Sequence, residues 1–557
     1  MKNILKYYKI QTFYRFSKCI VFMLMLILLS GACTKLEDQT FNQLVSSSFH
    51  PKQDDIVALI GPAYVSWQRL NEMSNDNRWR QGYRYYQEIS ADQLMIPARP
   101  NGWVNNGMYR KPFMHNWDAL DVYADGTWQN AYEGVTNCNR VIFQVGNGTI
   151  PVTATEKDAL LAEMRALRAS YYFALCDLFG NVPLVTRYDL EKGYLPEQST
   201  RQQIYEFIVT ELTESLPLLS TDVSVKTYGR FTKWAAYALL AKVYLNAGVY
   251  TGTPKWTECI AACDAVINSG NYSLEPNRKD VFKTVNENSK EIIFAIPYDE
   301  IYAQAWGAIM IGLQGVSGST YNMQGGPWGG SCAVPQFIDT YDPDDSRLKD
   351  WIGGPQYSST GVRLVGGMAP TMGLPFSYLN DVPSIDSTTE MSGFREGKYE
   401  YKLGVTSFLS NDQPLLRYAD VLLMKAEAML RTGNANGAAA IVSQVRERCF
   451  TSNPAKAAVT GTRLLGGSVY KYGLKDSKHG WNTNEGGADI QYGGLLDELG
   501  WEFAQEGHRR TDMIRFGVFT TKSWSSHSPN GSNRILYPIP QSQINNNSNL
   551  KQNPGVL

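Results

Sequence analysis

The run Trp234-Ala235-Ala236-Tyr237-Ala238-Leu239-Leu240-Ala241-Lys242-Val243-Tyr244-Leu245 is apolar on nearly every side. A helix at a protein surface keeps one polar face, whereas one that is apolar all round has to be covered all round. Alanine favours the helix and lets neighbouring helices approach closely. This segment therefore belongs in the middle of a helical stack. Gly248 is placed to cap its end, and a second helix starts within about ten residues.

Helical periodicity recurs along the chain. It predicts helices over Trp128 to Phe143, Lys157 to Leu178, Arg201 to Leu219, Thr232 to Asn246 and Trp256 to Ile267. Near the C-terminus it predicts Leu416 to Arg431, Asn436 to Arg448 and Leu495 to Arg515. The pairing of a small-residue helix, a glycine turn and an amphipathic helix resembles tetratricopeptide helix pairs. The expected fold is mainly α, with such degenerate pairs over about 127–270 and 414–450. A loop-rich insertion carrying a few short strands interrupts them over about 272–413. In it, Gly325-Gly326-Pro327-Trp328-Gly329-Gly330 and similar stretches replace helical periodicity, and Glu291 to Tyr298 reads as a strand. A C-terminal segment of about 494–557 completes one domain spanning 33–557.

Residues 1–32 read as a leader. Lys2, Lys6, Lys9, Arg15 and Lys18 precede Ile20 to Leu29, an apolar run too short to span a bilayer. Ser30-Gly31-Ala32 then runs into Cys33, which resembles a bacterial lipobox, although Ser30 stands where Leu is more usual. Diacylation of Cys33 would tether the mature chain, because each buried methylene contributes about 0.8 kcal/mol. Thr34-Lys35-Leu36-Glu37-Asp38 looks like the surface-export signal of Bacteroidetes lipoproteins, and a short solvated linker would look the same. The six later cysteines are scattered without metal spacing and read as small buried hydrophobes.

With 52 Lys+Arg against 53 Asp+Glu, charge gives no case for nucleic acid or an anionic surface. Five histidines form no spaced metal pair, and no nucleophile elbow or phosphate loop occurs. No catalytic residue, metal ligand or cofactor is expected. Asp342-Pro343-Asp344-Asp345 is read as an acidic turn, with a structural cation as the other possibility. Glu88 and Asp92 invite a glycosidase reading, but sequence spacing cannot set the separation that two catalytic carboxyls need.

Five blocks, in order, resemble the SusD/RagB family of Bacteroidetes surface lipoproteins. They are Arg165 to Phe173 with Phe179 to Val185, Arg230 to Leu245, Leu416 to Ala428, Glu506 to Gly517, and Leu536 to Gln541 with Leu550 to Gly555. Their charged members, Arg417, Asp420, Glu506, Arg509, Arg510 and Asp512, are expected to lock helix to helix, with His508 as a structural residue. The resemblance implies a glycan-binding protein at the outer-membrane surface that serves a SusC-like TonB-dependent transporter. It also implies that an early loop and the middle insertion supply the glycan surface.

A sugar ring offers an apolar face and a rim of hydroxyls, so its complement is an exposed aromatic beside amides or charges. Arg99 to Tyr109 supplies that mixture, with Trp103 and Tyr109. Tyr302 to Trp306 and Gln324 to Gly330, with Trp328, supply it again. Glycines flanking Trp103 and Trp328 suggest exposure. The candidate glycan residues are thus Trp103, Tyr109, Tyr302, Trp306 and Trp328. The other reading is a tetratricopeptide-type scaffold for a protein or peptide, in which these aromatics are loop core.

Overall fold

In the computed structural model, which describes residues 53–71, 82–304 and 308–556, the all-apolar segment is buried on most of its circumference, while Trp234, Tyr237 and Tyr244 on one stripe stay half-buried. The helices that matter are α1 (Gln53–Asn71), α2 (Tyr83–Ile89), α3 (Val122–Gly146), α4 (Ala154–Phe179), α5 (Arg201–Ser215), α6 (Lys233–Leu245) and α7 (Trp256–Ile267). After the insertion come α8 (Tyr418–Arg431), α9 (Ala435–Glu447), α10 (Gly493–Phe503) and α11 (Arg509–Arg515). Helix α6 packs against α4, α5, α7 and α8. Its Ala235, Ala236, Ala238 and Ala241 are fully buried, so the small side chains set a close helix spacing. Helices α1, α3, α4 and α5 contact one another in succession, as do α6, α7, α8 and α9. Mainly helical architecture, with few and short strands, is thus what forms.

Local signals explain several helix starts. Thr153 and Glu156 form a reciprocal capping box at α4, and Thr200 with Gln203 does the same at α5. Asp121 caps α3 by accepting from the amides of Tyr123 and Ala124, both at 3.0 Å.

The insertion leaves and rejoins the stack at one place. Strand β2 (Ile292–Ile296) pairs antiparallel with β4 (Gln413–Arg417), setting Ile296 opposite Gln413 and Ile292 opposite Arg417. This neck returns the chain to its starting point, so α8 packs on α7 despite the excursion. A second pair, β1 (Leu94–Met95) with β3 (Cys332–Ala333), ties the early loop to the insertion.

Two expectations differ from what forms. Helix α6 ends at Asn246 and is followed at once by a short helix, Ala247–Thr251, so the left-handed glycine cap is Gly252 (φ 77°), not Gly248. Leu495 to Arg515 is two helices rather than one. The chain breaks between Phe503 and Arg509, with Gln505 at φ 68° and Gly507 at φ 83°. The break has a tertiary cause: it frees the carbonyls of Glu502 and Ala504 to accept from Lys398 Nζ at 2.7 and 3.0 Å. A buried ammonium takes hydrogen bonds that a continuous helix would keep for itself.

Buried charges fill the seams between elements. Arg417 reaches Glu291 (2.7 Å), Glu502 (2.9 Å) and Glu506 (2.7 Å), all nearly or fully buried. Arg509 pairs with Asp92 at 2.6 Å and Arg510 with Asp177 at 2.9 Å. Asp420 pairs with Lys242 of α6 at 2.8 Å, whereas Asp512 pairs within α11, with Arg515 at 2.7 Å, and it is Arg515 that reaches Glu427 of α8 at 2.6 Å. Burial pushes the Glu506 carboxyl up, but Arg417 and Lys398 outweigh it and hold the group below its ordinary value. All six cysteines after the leader region are buried and free, and Cys33 lies outside the described residues.

Candidate functional site

Strands β1 and β3 bring together two loops that lie far apart in sequence. Val334 N donates to Gln93 O at 2.9 Å, extending the ladder. Arg99 strengthens the junction: its Nε donates to Gly330 O (3.1 Å), and its Nη1 donates to Thr389 O (3.0 Å) and Ser392 O (2.8 Å). From this anchor the chain turns through Gly102, Trp103, Asn105, Asn106 and Gly107, all at positive φ. A bulky residue such as Trp103 (φ 65°) rarely adopts that conformation, and such strain concentrates where a surface is built to bind.

Trp103 Nε1 donates to the backbone carbonyl of Trp328 at 3.0 Å, across 225 residues of sequence. Asn101 Nδ2 donates to the same carbonyl at 2.8 Å. Beneath the indole lies Gly330, where an added Cβ would come within 2.7 Å of the ring. Only a bare backbone lets Trp103 settle there. Trp328 is itself held from below: its amide donates to Met310 O at 2.7 Å, and its side chain leans on Met310, Leu313, Tyr401, Val405 and Leu409. Both indoles are half-buried, packed on these supports and partly open to solvent. Asn105 and Asn106 are exposed beside them, as is Gln324. An aromatic surface rimmed by amides results.

The other candidates fall out differently. Tyr109 is 2% exposed, its ring centroid 5.2 Å from that of Trp103 and its hydroxyl accepting from Asn105 Nδ2 at 3.1 Å. Burial pushes that hydroxyl up to about 12, and the ring offers no open face. It supports Trp103 from behind. Tyr302 is 90% exposed at the tip of a tight turn, where Asp299 Oδ1 accepts from the amides of Tyr302 (2.7 Å) and Ile301 (2.8 Å). This turn and Trp328 rest on one segment: Glu300 pairs with Lys402 at 3.1 Å and its amide donates to Ser410 Oγ at 3.1 Å. Trp306 lies outside the described residues. Arg99, Asn101 and Gly330 carry the junction, and in the sequence only membership of glycine-bearing aromatic loops marks them.

The carboxylates that invited a hydrolase are structural. Asp92 is enclosed by Arg509 and by the Tyr472 hydroxyl at 2.7 Å. Glu88 is 2% exposed, and burial pushes its carboxyl up to about 7 while the Gly507 amide donates to it. The acidic turn is paired with basic side chains: Lys456 Nζ lies 2.7 Å from Asp342 and 2.9 Å from Asp344, and Arg347 lies 2.7 Å from Asp345. His508 is a packed residue, stacked on Phe503 at 4.6 Å, and burial holds its imidazole well below its ordinary value. Cavities beside it, lined by Tyr83, Lys242 and Asp420, lie within the helix stack rather than at the aromatic loops. Among the described residues no group of three or more His, Cys, Asp or Glu side chains is arranged to hold a metal. No helix among them is long and apolar enough to cross a membrane.

Comparison with known proteins agrees with this architecture. The profile described as "SusD family" matches residues 290–534, and one described as "Starch-binding associating with outer membrane" matches residues 66–245. The chain is 27% identical over 436 residues to the starch-binding protein SusD of Bacteroides thetaiotaomicron, covering 71% of this chain and 72% of that protein. Among solved structures it superposes on surface glycan-binding protein A from Bacteroides thetaiotaomicron in complex with laminarihexaose. The TM-score is 0.67 at 20% identity, covering 90% of this chain and 99% of that one. NanU from B. fragilis gives a TM-score of 0.68 at 20% identity, covering 92% and 99%. At these identities the structural likeness speaks for the fold.

Proposed function

This chain belongs to the SusD/RagB family, and from that premise we propose that it binds a glycan through the joined Trp103–Trp328 surface. One observation carries the reading. The fold keeps a tryptophan in a strained backbone conformation, seats it on a glycine, and bonds it to a second tryptophan from a distant loop. The half-open indoles suit the apolar face of a pyranose, and Asn101, Asn105, Asn106 and Gln324 suit its hydroxyls. Tyr302 stands ready to meet a chain passing over the same support.

The protein's role is binding: Glu88 and Asp92, the carboxylates that invite a hydrolase, are enclosed and committed to structure. Lipidation at Cys33 anchors it to the outer membrane with its loops facing outward, and it passes oligosaccharide to a SusC-like TonB-dependent transporter. The name of the starch-binding relative and the laminarihexaose-bound structure support a glucan or related polysaccharide as the first class to try.

Affinity electrophoresis against a polysaccharide panel tests the reading. Retardation by at least one polysaccharide, lost on Trp328→Ala, is the expected result. No retardation by any of them would overturn it, and a peptide ligand found instead would favour the scaffold alternative.

A further inference from the structure

Trp481 is the most exposed tryptophan among the described residues, at 44%. A single exposed ring is ordinarily unremarkable, but this one is built into place. It sits on a hairpin in which Gly473–Asp476 pairs with Trp481–Asn482, setting Asp476 opposite Trp481. The buried Asp476 carboxylate accepts from Ser526 Oγ (2.6 Å), Ser384 Oγ (3.0 Å) and the His479 amide (3.0 Å), and lies 2.9 Å from His479 Nδ1. His479 is thereby fixed, and its ring lies against the Trp481 indole with centroids 4.7 Å apart and planes 24° apart. One face of the indole is covered and held. The residue stays open to solvent, with Lys478, Asn482, Thr483 and Asn484 exposed near it along the chain.

The hairpin is continuous with the aromatic loops through residues 383–392. On the hairpin side, Ser477 N donates to Pro383 O at 2.9 Å and Lys478 Nζ to Asp386 O at 3.3 Å. On the loop side, Asp386 pairs with Arg110 at 2.7 Å, and Ala98 N donates to Ile385 O at 2.9 Å. The same segment receives Arg99, which anchors Gly330 under Trp103. A rigid ring costs little ordering entropy when a ligand arrives.

We propose that Trp481 is a second glycan platform, reached only by a polysaccharide long enough to extend beyond Trp103 and Trp328. The proposal rests on the glycan-binding reading above and adds a dependence on chain length. It predicts that the affinity of the native protein rises with the length of the bound glycan, and that this rise depends on Trp481.

The test uses the polysaccharide that retards the native protein, together with its hexasaccharide, in calorimetry with the full mature chain. Trp481→Ala is expected to bind the polysaccharide roughly three- to tenfold more weakly, the range that loss of one aromatic stack implies. It should bind the hexasaccharide as the native protein does, and Trp481→Tyr, which keeps a ring, should recover part of the loss. Unchanged affinity for the polysaccharide overturns the proposal, as does equal weakening on both ligands. Melting temperatures of both variants guard against a folding effect, and His479→Ala, which loosens the ring without removing it, is a second variant expected to lower polysaccharide affinity alone. Trp328→Ala separates the two readings. If it leaves hexasaccharide binding intact, the principal site is misplaced, whatever Trp481 does; if no polysaccharide binds the native chain, both fall.

Discussion

Tyr302 and Trp103 illustrate how exposure decides what a substitution reports. Tyr302 is almost wholly exposed, so Tyr302→Ala should leave stability within about 0.5 kcal/mol of native while weakening glycan binding; unchanged binding in calorimetry would remove it from the site. Trp103 is half-buried and bonded to Trp328 O, so Trp103→Ala should lower both stability and affinity. Acid sensitivity also resides in single residues. His115 is fully buried against Phe519, Trp117 and His527, and burial brings its imidazole down to about 3. Unfolding returns it to an ordinary value near 6.5. The unfolded chain therefore binds the extra proton, and stability present above pH 6.5 is lost as pH falls towards 3. At pH 4.5 this amounts to about 2–3 kcal/mol from His115 alone. His115→Asn, which tolerates the positive φ at this position, should flatten that part of the pH dependence in urea unfolding.

At the scale of elements, the two aromatic loops work as one because of β1, β3 and the bare backbone at Gly330. Gly330→Ala would drive a methyl into the Trp103 ring, so it should dislodge the early loop and weaken glycan binding at least as much as Trp328→Ala. Native affinity in that variant would show that the seat under Trp103 is not needed. The α10–α11 break is held by the buried network around Arg417. Arg417→Met leaves Glu291, Glu502 and Glu506 with less compensation and should cost about 3–5 kcal/mol in denaturant unfolding. A loss below 1 kcal/mol would mean that Arg448 and Lys398 carry the seam without it.

For the whole molecule, the neck of β2 and β4 lets a helix stack carry a large loop-rich insertion without losing continuity from α7 to α8. The aromatic loops are thus carried on a stack whose continuity does not depend on them. Tethering is a separate matter, assigned to the leader. Cys33→Ala should leave the thermal unfolding of the mature chain unchanged and move it from the membrane fraction to the soluble one. A variant that stays membrane-bound in cells lacking the transporter would place the anchor elsewhere.

Helices α6, α7 and α8 were legible from the amino-acid order because period and apolar coverage are local properties: Trp256–Ile267 forms over the residues its periodicity predicts. The family followed from blocks such as Leu416 to Ala428, whose residue types are fixed by the stack they pack in. In the sequence pattern α10 runs into α11, because no neighbour in sequence reveals that Lys398 will claim the carbonyls of Glu502 and Ala504. Aromatic content by itself ranks Tyr109 with Trp103 and gives Arg99, Asn101 and Gly330 no weight. Aromatic content marks a loop as able to bind. Which ring keeps an open face depends on what comes to lie behind it, and for Trp103 that is a glycine and a carbonyl from another part of the chain. Local pattern determined the scaffold; long-range hydrogen bonding and packing decided the shape of the surface.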